Sequence, residues 1–383
     1  MEKTLAIPKI TETMESVGLS QASLAERIGV SREAVSKWLK QESFPRPDKL
    51  LRLAKLLGLG FNDLVVKNEP HPPVVAFRKV KATRTTDAHY AHAQTMGRML
   101  KHLVPYLPFD KLAMPPVLKN PVMDYEYLQE VSGKIRREIG VGANEKIDFR
   151  HLISYFSKLQ SVLIPVLWGN KNRHENATHI FLPDSLTTWV YLNLDVNVLD
   201  FKFWMSHELG HCLAPDLRGE PGEDFADAFA GALLFPHALA KQAYEAILPL
   251  ANSKQQLSEI KQTACEWLIS PYSVYCQINH YASHAGLPTL SLVPDIHKIS
   301  TSINKDLPLL SKIIFSDGED PYANHYIRQM KENFETPFFD ILSRYLRECG
   351  KGPGLVQTLM DVSALDARSI HSELINAAVK TTV

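Results

Sequence analysis

The five residues His207-Glu208-Leu209-Gly210-His211 constrain this chain more than any other part of its sequence. They form the pattern H-E-x-x-H, and residues four apart lie on the same face of a helix. Both imidazoles would therefore point in one direction and could bind one Zn²⁺ ion. Glu208 would stand beside the open coordination position as a general base. A surface helix that carries two histidines by chance is the alternative, so the neighbouring sequence has to decide.

The sequence on either side of the motif favours a buried helix. The mostly apolar residues 200–206 lead into it, and Leu209 and Leu213 point away from the histidines, towards a predicted core. Pro215 predicts that the helix ends near Ala214. Gly210 costs a helix about 1 kcal/mol relative to alanine. Its presence indicates that another backbone or a ligand approaches closely.

A zinc site with two histidines needs a third protein ligand and an open position for water. Acidic residues follow at 220, 223, 224 and 227, ahead of an alanine-rich helix that could pack closely on the motif helix. Because Glu223 and Asp227 are four apart, we predict Glu223 as the third ligand and Asp227 as a carboxylate that accepts the other N–H of a ligand histidine. Asp224 is the competing ligand, with a shorter side chain on another face. Without a metal, these acids would form a solvated turn at a helix N-terminus.

Three blocks in this order, at residues 190–193, 203–211 and 229–236, resemble the ImmA/IrrE family of zinc metallopeptidases. The resemblance covers roughly residues 125–290. It implies a zincin-like domain with a short β-sheet, Zn²⁺ as cofactor and endopeptidase activity on a protein substrate. The spacing of Glu223, Asp227 and Phe229 is also similar to the third-ligand helix of thermolysin-type enzymes. Many relatives carry a second glutamate directly before the alanine of this helix, where this chain has Phe225.

Residues 6–66 predict five short helices, with a helix-turn-helix between residues 20 and 39. Leu24 and Ile28 face inward from its first helix, which Gly29 ends in the left-handed conformation that glycine tolerates. Val35 and Trp38 bury the inner side of its second helix.

Polar side chains on the outer side of this motif suit base edges and phosphates in a major groove. The predicted DNA-contacting residues are Gln21, Ser31, Arg32, Glu33, Ser36 and Lys37. Together with residues 44–54, the motif resembles the lambda-repressor/Xre-type domain, which implies a homodimer on a double-stranded DNA operator. A helix-turn-helix used only for protein contacts or dimerisation is the alternative.

The fold class predicted for the whole chain is mainly α with a small α+β domain. At 383 residues the chain is long enough for two or three domains. We predict a helix-turn-helix domain at 1–67, a Pro-rich linker with a connecting helix at 68–121, a zincin-like metallopeptidase domain at 122–245 and a helical C-terminal region with a second helix-turn-helix-like element at 246–383. Three short strands are predicted ahead of the motif helix, at residues 161–167, 178–182 and 188–193.

Charge and cysteines restrict the function less strongly. The formal net charge is zero, although basic residues predominate between 67 and 102 and acidic residues between 199 and 227. The four cysteines form no C-x-x-C pair, and no apolar run reaches the roughly 18 residues of a membrane span. We therefore expect a cytoplasmic protein with reduced thiols and no membrane partner. His174 and His179 are weak metal candidates, which a loop and a sheet position explain better.

Two functional hypotheses follow. The first is a DNA-binding transcriptional regulator with a zinc-dependent endopeptidase domain that cleaves a repressor or itself in a stress or mobile-element response. The second is a transcription factor that senses a ligand or a metal without proteolysis, or an antitoxin-like repressor. The presence of Glu208 favours the peptidase, because a purely structural zinc site needs no general base.

Overall fold

The chain divides at the consecutive prolines Pro72 and Pro73, which cannot continue a helix. The computed structural model describes residues 2–68, 71–79, 87–109, 117–169, 175–315 and 321–376. Two compact units result, unit 1 over Met1–Pro72 and unit 2 over Pro73–Val383. Each unit has a hydrophobic core of its own.

Unit 1 is a bundle of short helices with one strand at each end. Its elements are β1 (Glu2–Leu5), α1 (Ile7–Ser16), α2 (Gln21–Ile28), α3 (Arg32–Leu39), α4 (Pro47–Leu57), α5 (Phe61–Leu64) and β2 (Val65–Asn68). The strands β1 and β2 pair in antiparallel fashion, a pairing that the sequence did not predict. The five helices agree with the prediction for this region.

Unit 2 combines a small sheet with many helices. Its first part contains β3 (Val74–Lys79), α6 (Asp87–Leu100), a 3₁₀ turn (Val104–Tyr106), α7 (Tyr125–Ile139), α8 (Phe149–Lys158), β4 (Val162–Val166), β5 (Glu175–Leu182), β6 (Thr187–Asn193), α9 (Val198–Leu213) and α10 (Glu220–Leu234). The rest is helical: α11 (His237–Ile247), α12 (Ser253–Trp267), α13 (Pro271–His284), α14 (Asp295–Asp306), α15 (Leu310–Ile314), α16 (Ala323–Phe334), α17 (Phe338–Glu348), α18 (Pro353–Met360) and α19 (Ala364–Asn376).

The sheet of unit 2 has the strand order β3-β5-β6-β4. The inner strand β6 runs parallel to β4 and antiparallel to β5. All residues of β4 and β6 are buried, as expected for strands covered on both faces. The motif helix α9 packs against β5 and β6, and α10 packs along α9.

The predicted fold class is confirmed, since the described part of the chain is mostly helical with a small four-stranded sheet. The three predicted strands correspond to β4, β5 and β6. Strand β3 was not predicted and lies in the segment assigned to the linker. The regions at 122–245 and 246–383, which the sequence separates, share one hydrophobic core. Helices α12 and α13 of the predicted second helix-turn-helix-like element follow each other closely.

A lysine lies inside the core next to the candidate site. Lys202 of α9 is 2% exposed, and its Nζ donates hydrogen bonds to the backbone oxygens of Ile147 and Trp267. Burial, helped by the positive charge of Lys146 and opposed by the negative charge of Asp148, lowers the pKa of Lys202 from 10.5 to about 7. The neutral form of Lys202 is therefore well populated in the folded chain at neutral pH.

The stability of unit 2 is expected to increase from pH 7 to pH 10 because of Lys202. In this window the unfolded chain binds a proton that the folded chain does not, so the free energy of unfolding rises with pH. The expected gain is on the order of 1–4 kcal/mol, and Lys202→Met should remove it. Urea unfolding of both proteins at pH 7 and pH 9.5 measures the difference. Equal pH dependence in the two proteins would contradict the assignment.

Candidate functional site

Helix α9 brings the two histidines of the motif together. Its N-terminus is capped by the side chain of Asn197, which accepts a hydrogen bond from the backbone N–H of Leu199. His207 and His211 are both buried, and their Nε2 atoms lie 3.1 Å apart. Two ring nitrogens that converge at this distance are a pair of donor atoms that could bind one metal ion.

Helix α10 adds a carboxylate to this pair. The two carboxylate oxygens of Glu223 lie 3.5 Å from the Nε2 atoms of His207 and His211. Among the described residues, these three side chains place one ligand atom each within 4.8 Å of one another. Asp224 is exposed and lines a neighbouring cavity instead.

The electrostatics of Glu223 reflect its two partners. Burial acts to raise the pKa of Glu223, but hydrogen bonds from His207 and His211, together with their charges, outweigh burial and lower the pKa to about 2. Asp227, four residues further along α10, places its Oδ1 2.7 Å from Nδ1 of His207. If Nδ1–H donates to Asp227, loss of the Nε2 proton that faces Glu223 would leave the lone pair of Nε2 for a metal ion.

The close approach of the two helices depends on Gly210. A Cβ at this position would lie 2.9 Å from Cα of Ala226 and 3.2 Å from its Cβ. Any larger residue would push α10 away from α9, and Glu223 would move with it. The sequence predicted this constraint from a glycine inside a helix, followed by an alanine-rich segment.

Glu208 lies inside the protein beside the three clustered residues. Its side chain is fully buried, and Oε2 lies 3.8 Å from Nδ1 of His179 on β5. The ring centre of His179 is 5.7 Å from that of His211. Burial, reinforced by the nearby His211, lowers the pKa of His179 to about 3, so this imidazole is neutral.

Two residues outside the three-residue cluster interact with it or with Glu208, namely His179 and Tyr90. His179 occupies a sheet position, as expected, and this position adjoins the motif helix. His174 lies outside the described residues. Tyr90 on α6 is exposed, and its pKa is raised by partial burial and by the negative charge of Glu223. The β-rich residues 178–182 were the signal available for His179. No sequence signal connected Tyr90 with residue 223.

The predicted DNA-contacting residues lie on α2 and α3 of unit 1. Ser31 caps α3 by accepting a hydrogen bond from the N–H of Ala34, while Val35 and Trp38 are buried as predicted. Gly29 ends α2 with φ of 76°. Five of the six predicted residues are exposed and Ser36 is half-buried; the exposed ones are Gln21, Ser31, Arg32, Glu33 and Lys37.

Comparison with known proteins supports the helix-turn-helix prediction for unit 1. Residues 10–64 match the model of a helix-turn-helix family. Unit 1 is therefore a helix-turn-helix DNA-binding domain of the kind found in transcription regulators. The match ends at residue 64, so the resemblance of residues 125–290 to the ImmA/IrrE peptidases stays a prediction.

Other comparisons add little. None of the curated proteins is significantly similar to this chain. A solved structure of Bacillus thuringiensis PlcR, in complex with the peptide PapR7 and DNA, is 12% identical and covers 78% of this chain and 94% of its own, at a TM-score of 0.16. That score is too low for a shared overall fold. No helix among the described residues is long and apolar enough to cross a membrane.

Proposed function

We propose that this DNA-binding regulator carries a zinc-dependent endopeptidase in unit 2, with a repressor protein or the chain itself as substrate. The observation that supports the proposal most directly is the convergence of His207, His211 and Glu223 next to the buried Glu208. A stress or mobile-element response is the setting that the resemblance to the ImmA/IrrE family implies.

The three clustered side chains fit Zn²⁺. Two imidazoles and one carboxylate are the donor set of catalytic zinc sites, which leave a position open for water. The hydrogen bond between His207 and Asp227 fixes the tautomer that presents Nε2 as a ligand. Zn²⁺ held by these residues would polarise the scissile carbonyl and lower the pKa of water.

Glu208 is the proposed general base. One residue from His207 on the same helix, its carboxylate would accept the proton of the attacking water and donate it to the leaving amine. The neutral His179, 3.8 Å from Oε2, holds a neighbouring position without a competing positive charge. Asp227 would keep His207 oriented through its hydrogen bond.

Glu208→Gln is expected to lower the cleavage rate by about 10²- to 10⁴-fold, because it removes the general base. Zinc-loaded wild type and variant are each incubated alone and with repressors encoded by neighbouring genes, and fragments are measured by mass spectrometry. Zinc content serves as the control, since the variant should bind zinc as the wild type does. A wild type with a full complement of zinc that cuts neither itself nor any of these repressors would contradict the proposal.

For unit 1 we propose that it binds a double-stranded DNA operator as a homodimer. Helix α3 would contact the base edges in the major groove. Lys37→Ala is expected to weaken binding similarly on all sequences and to reduce the slope of log K against log salt by about one. Arg32→Ala should cost about 1–3 kcal/mol and relax sequence preference at one position. The probe is the promoter DNA of the protein's own gene, titrated at several salt concentrations. Lys9→Ala on α1, also exposed, is the matched control and should bind as the wild type does.

A second candidate function is ligand sensing without proteolysis. A cavity of about 750 Å³ lies beside α10, and its lining includes Trp204, Tyr272 and Asp227. Asp227 also contacts His207, so a ligand in this cavity could alter the candidate metal site directly. Under this hypothesis Glu208→Gln leaves the regulation of the target promoter unchanged, whereas the peptidase hypothesis requires its loss.

A further inference from the structure

The strand nearest the candidate site is β5, and both of its edges are paired. On one side it pairs with β6, and on the other with β3, both in antiparallel fashion. Strand β5 carries His179, which adjoins Glu208 and His211. The outer edge of the sheet at the candidate site therefore belongs to the segment that follows unit 1 in sequence.

The register places β3 level with the site. Ala76 is the direct partner of His179, with Val75 opposite Ile180 and Val74 opposite Phe181. Strand β3 also contacts α10, the helix that carries Glu223. Strand β3 thus contacts both the strand next to the proposed general base and the helix of the proposed third ligand.

An extended polypeptide binds a sheet by adding a strand to an open edge, and main-chain hydrogen bonds supply the affinity. A protein substrate that reaches Glu208 along β5 would need the edge that β3 now covers. We propose that β3 is an internal occupant of the substrate-binding edge and that a target protein must displace it to be cleaved. This inference rests on the proposed peptidase function, because that function gives the β5 edge its meaning.

Packing explains how β3 is held and why it can leave. A Cβ at Gly97 of α6 would lie 2.6 Å from Cβ of Pro73 and 3.0 Å from Cγ2 of Ile180. Helix α6 therefore packs closely against the residue that precedes β3 and against β5. The side chains of Val74, Val75 and Ala76 are only half-buried. A six-residue edge strand whose first three side chains are half-buried is the kind of element that opens locally without unfolding the core.

The test uses the full chain with Glu208→Gln, without added zinc, and a fluorescent peptide with the sequence of residues 73–79. Adjacent residues of an antiparallel edge strand alternate in donating to the partner, so Val75→Pro with Ala76→Pro removes one ladder hydrogen bond whichever residue donates. Val75→Thr with Ala76→Thr keeps both N–H groups and is the matched control. Binding is measured by fluorescence anisotropy.

The proline variant is expected to bind the peptide about 10- to 100-fold more tightly than the threonine variant, since an edge that opens about 1–10% of the time weakens the apparent affinity by that factor. Equal binding by two variants that melt at the same temperature would overturn the proposal. So would a folded proline variant that does not bind the peptide.

A cross-strand disulfide decides the question if the proline variant does not fold. Val74→Cys with Phe181→Cys joins two directly paired residues away from His179. The oxidised protein should bind the peptide more weakly than the reduced protein, and equal binding in both states would overturn the proposal. Neither measurement involves proteolysis, so a failure of the proposed peptidase activity is visible separately in the cleavage assay.

Discussion

Replacement of Glu223 by alanine is expected to weaken zinc binding by about two orders of magnitude. The free energy of zinc binding at a site with four ligands is about 10–16 kcal/mol. The loss of one ligand therefore corresponds to roughly 3 kcal/mol of binding free energy. The carboxylate of Glu223 lies 3.5 Å from both histidine nitrogens and has no substitute at that point among the described residues. Competition against a chromophoric chelator measures the change in Kd.

Two neighbours on α10 provide controls for this experiment. Asp224→Ala should change the Kd by less than about fivefold, as expected for an exposed charge outside the cluster. Asp227→Ala should weaken binding by about 10- to 100-fold, because it removes the acceptor that orients His207. If Asp224→Ala proved more harmful than Glu223→Ala, the ligand assignment would be wrong.

The second large effect is expected at Arg136, where methionine should lower the free energy of unfolding of unit 2 by about 3–5 kcal/mol. Arg136 of α7 is 1% exposed and donates hydrogen bonds to the backbone oxygens of Gly142, Glu145 and Leu233. Methionine fills a similar volume but leaves these three oxygens without their charged donor. Burial lowers the pKa of Arg136 to about 10, so it stays protonated at neutral pH.

Urea unfolding followed by circular dichroism measures this loss, and Arg137→Met is the matched control. Arg137 is the next residue on α7 and is exposed, so its replacement should change stability by less than about 0.5 kcal/mol. Leu233 belongs to α10, which means that Arg136 also ties the ligand helix to α7. Equal stability of the two variants would show that the buried hydrogen bonds contribute nothing.

The centre of the candidate site was predictable because its chemistry is local. Two histidines four residues apart define a face of one helix, and the glycine between them indicates that a second helix lies close. Glu223 follows within the next helix, so few arrangements remained open. The cap of α3, Ser31, likewise acts within three residues of its own position.

The parts that the sequence did not predict depend on distant partners. The segment Val74–Lys79 has no clear alternation, and its strand character comes from pairing with β5. Strands β1 and β2 are four residues long and stabilise each other from opposite ends of unit 1. His179 comes next to Glu208 and His211 through the packing of β5 against α9, which no spacing rule encodes.

The pairing of β3 with β5 also affects the order in which the parts of the protein can fold during synthesis. Ala76 and His179 are sheet neighbours but roughly a hundred residues apart in the chain, a separation that slows folding. At about 5–20 residues per second, the ribosome needs roughly 5–20 s to supply β5 after β3 has been synthesised. Unit 1 has that interval in which to fold alone. A newly made chain would therefore have a folded unit 1 before it has a cluster for zinc.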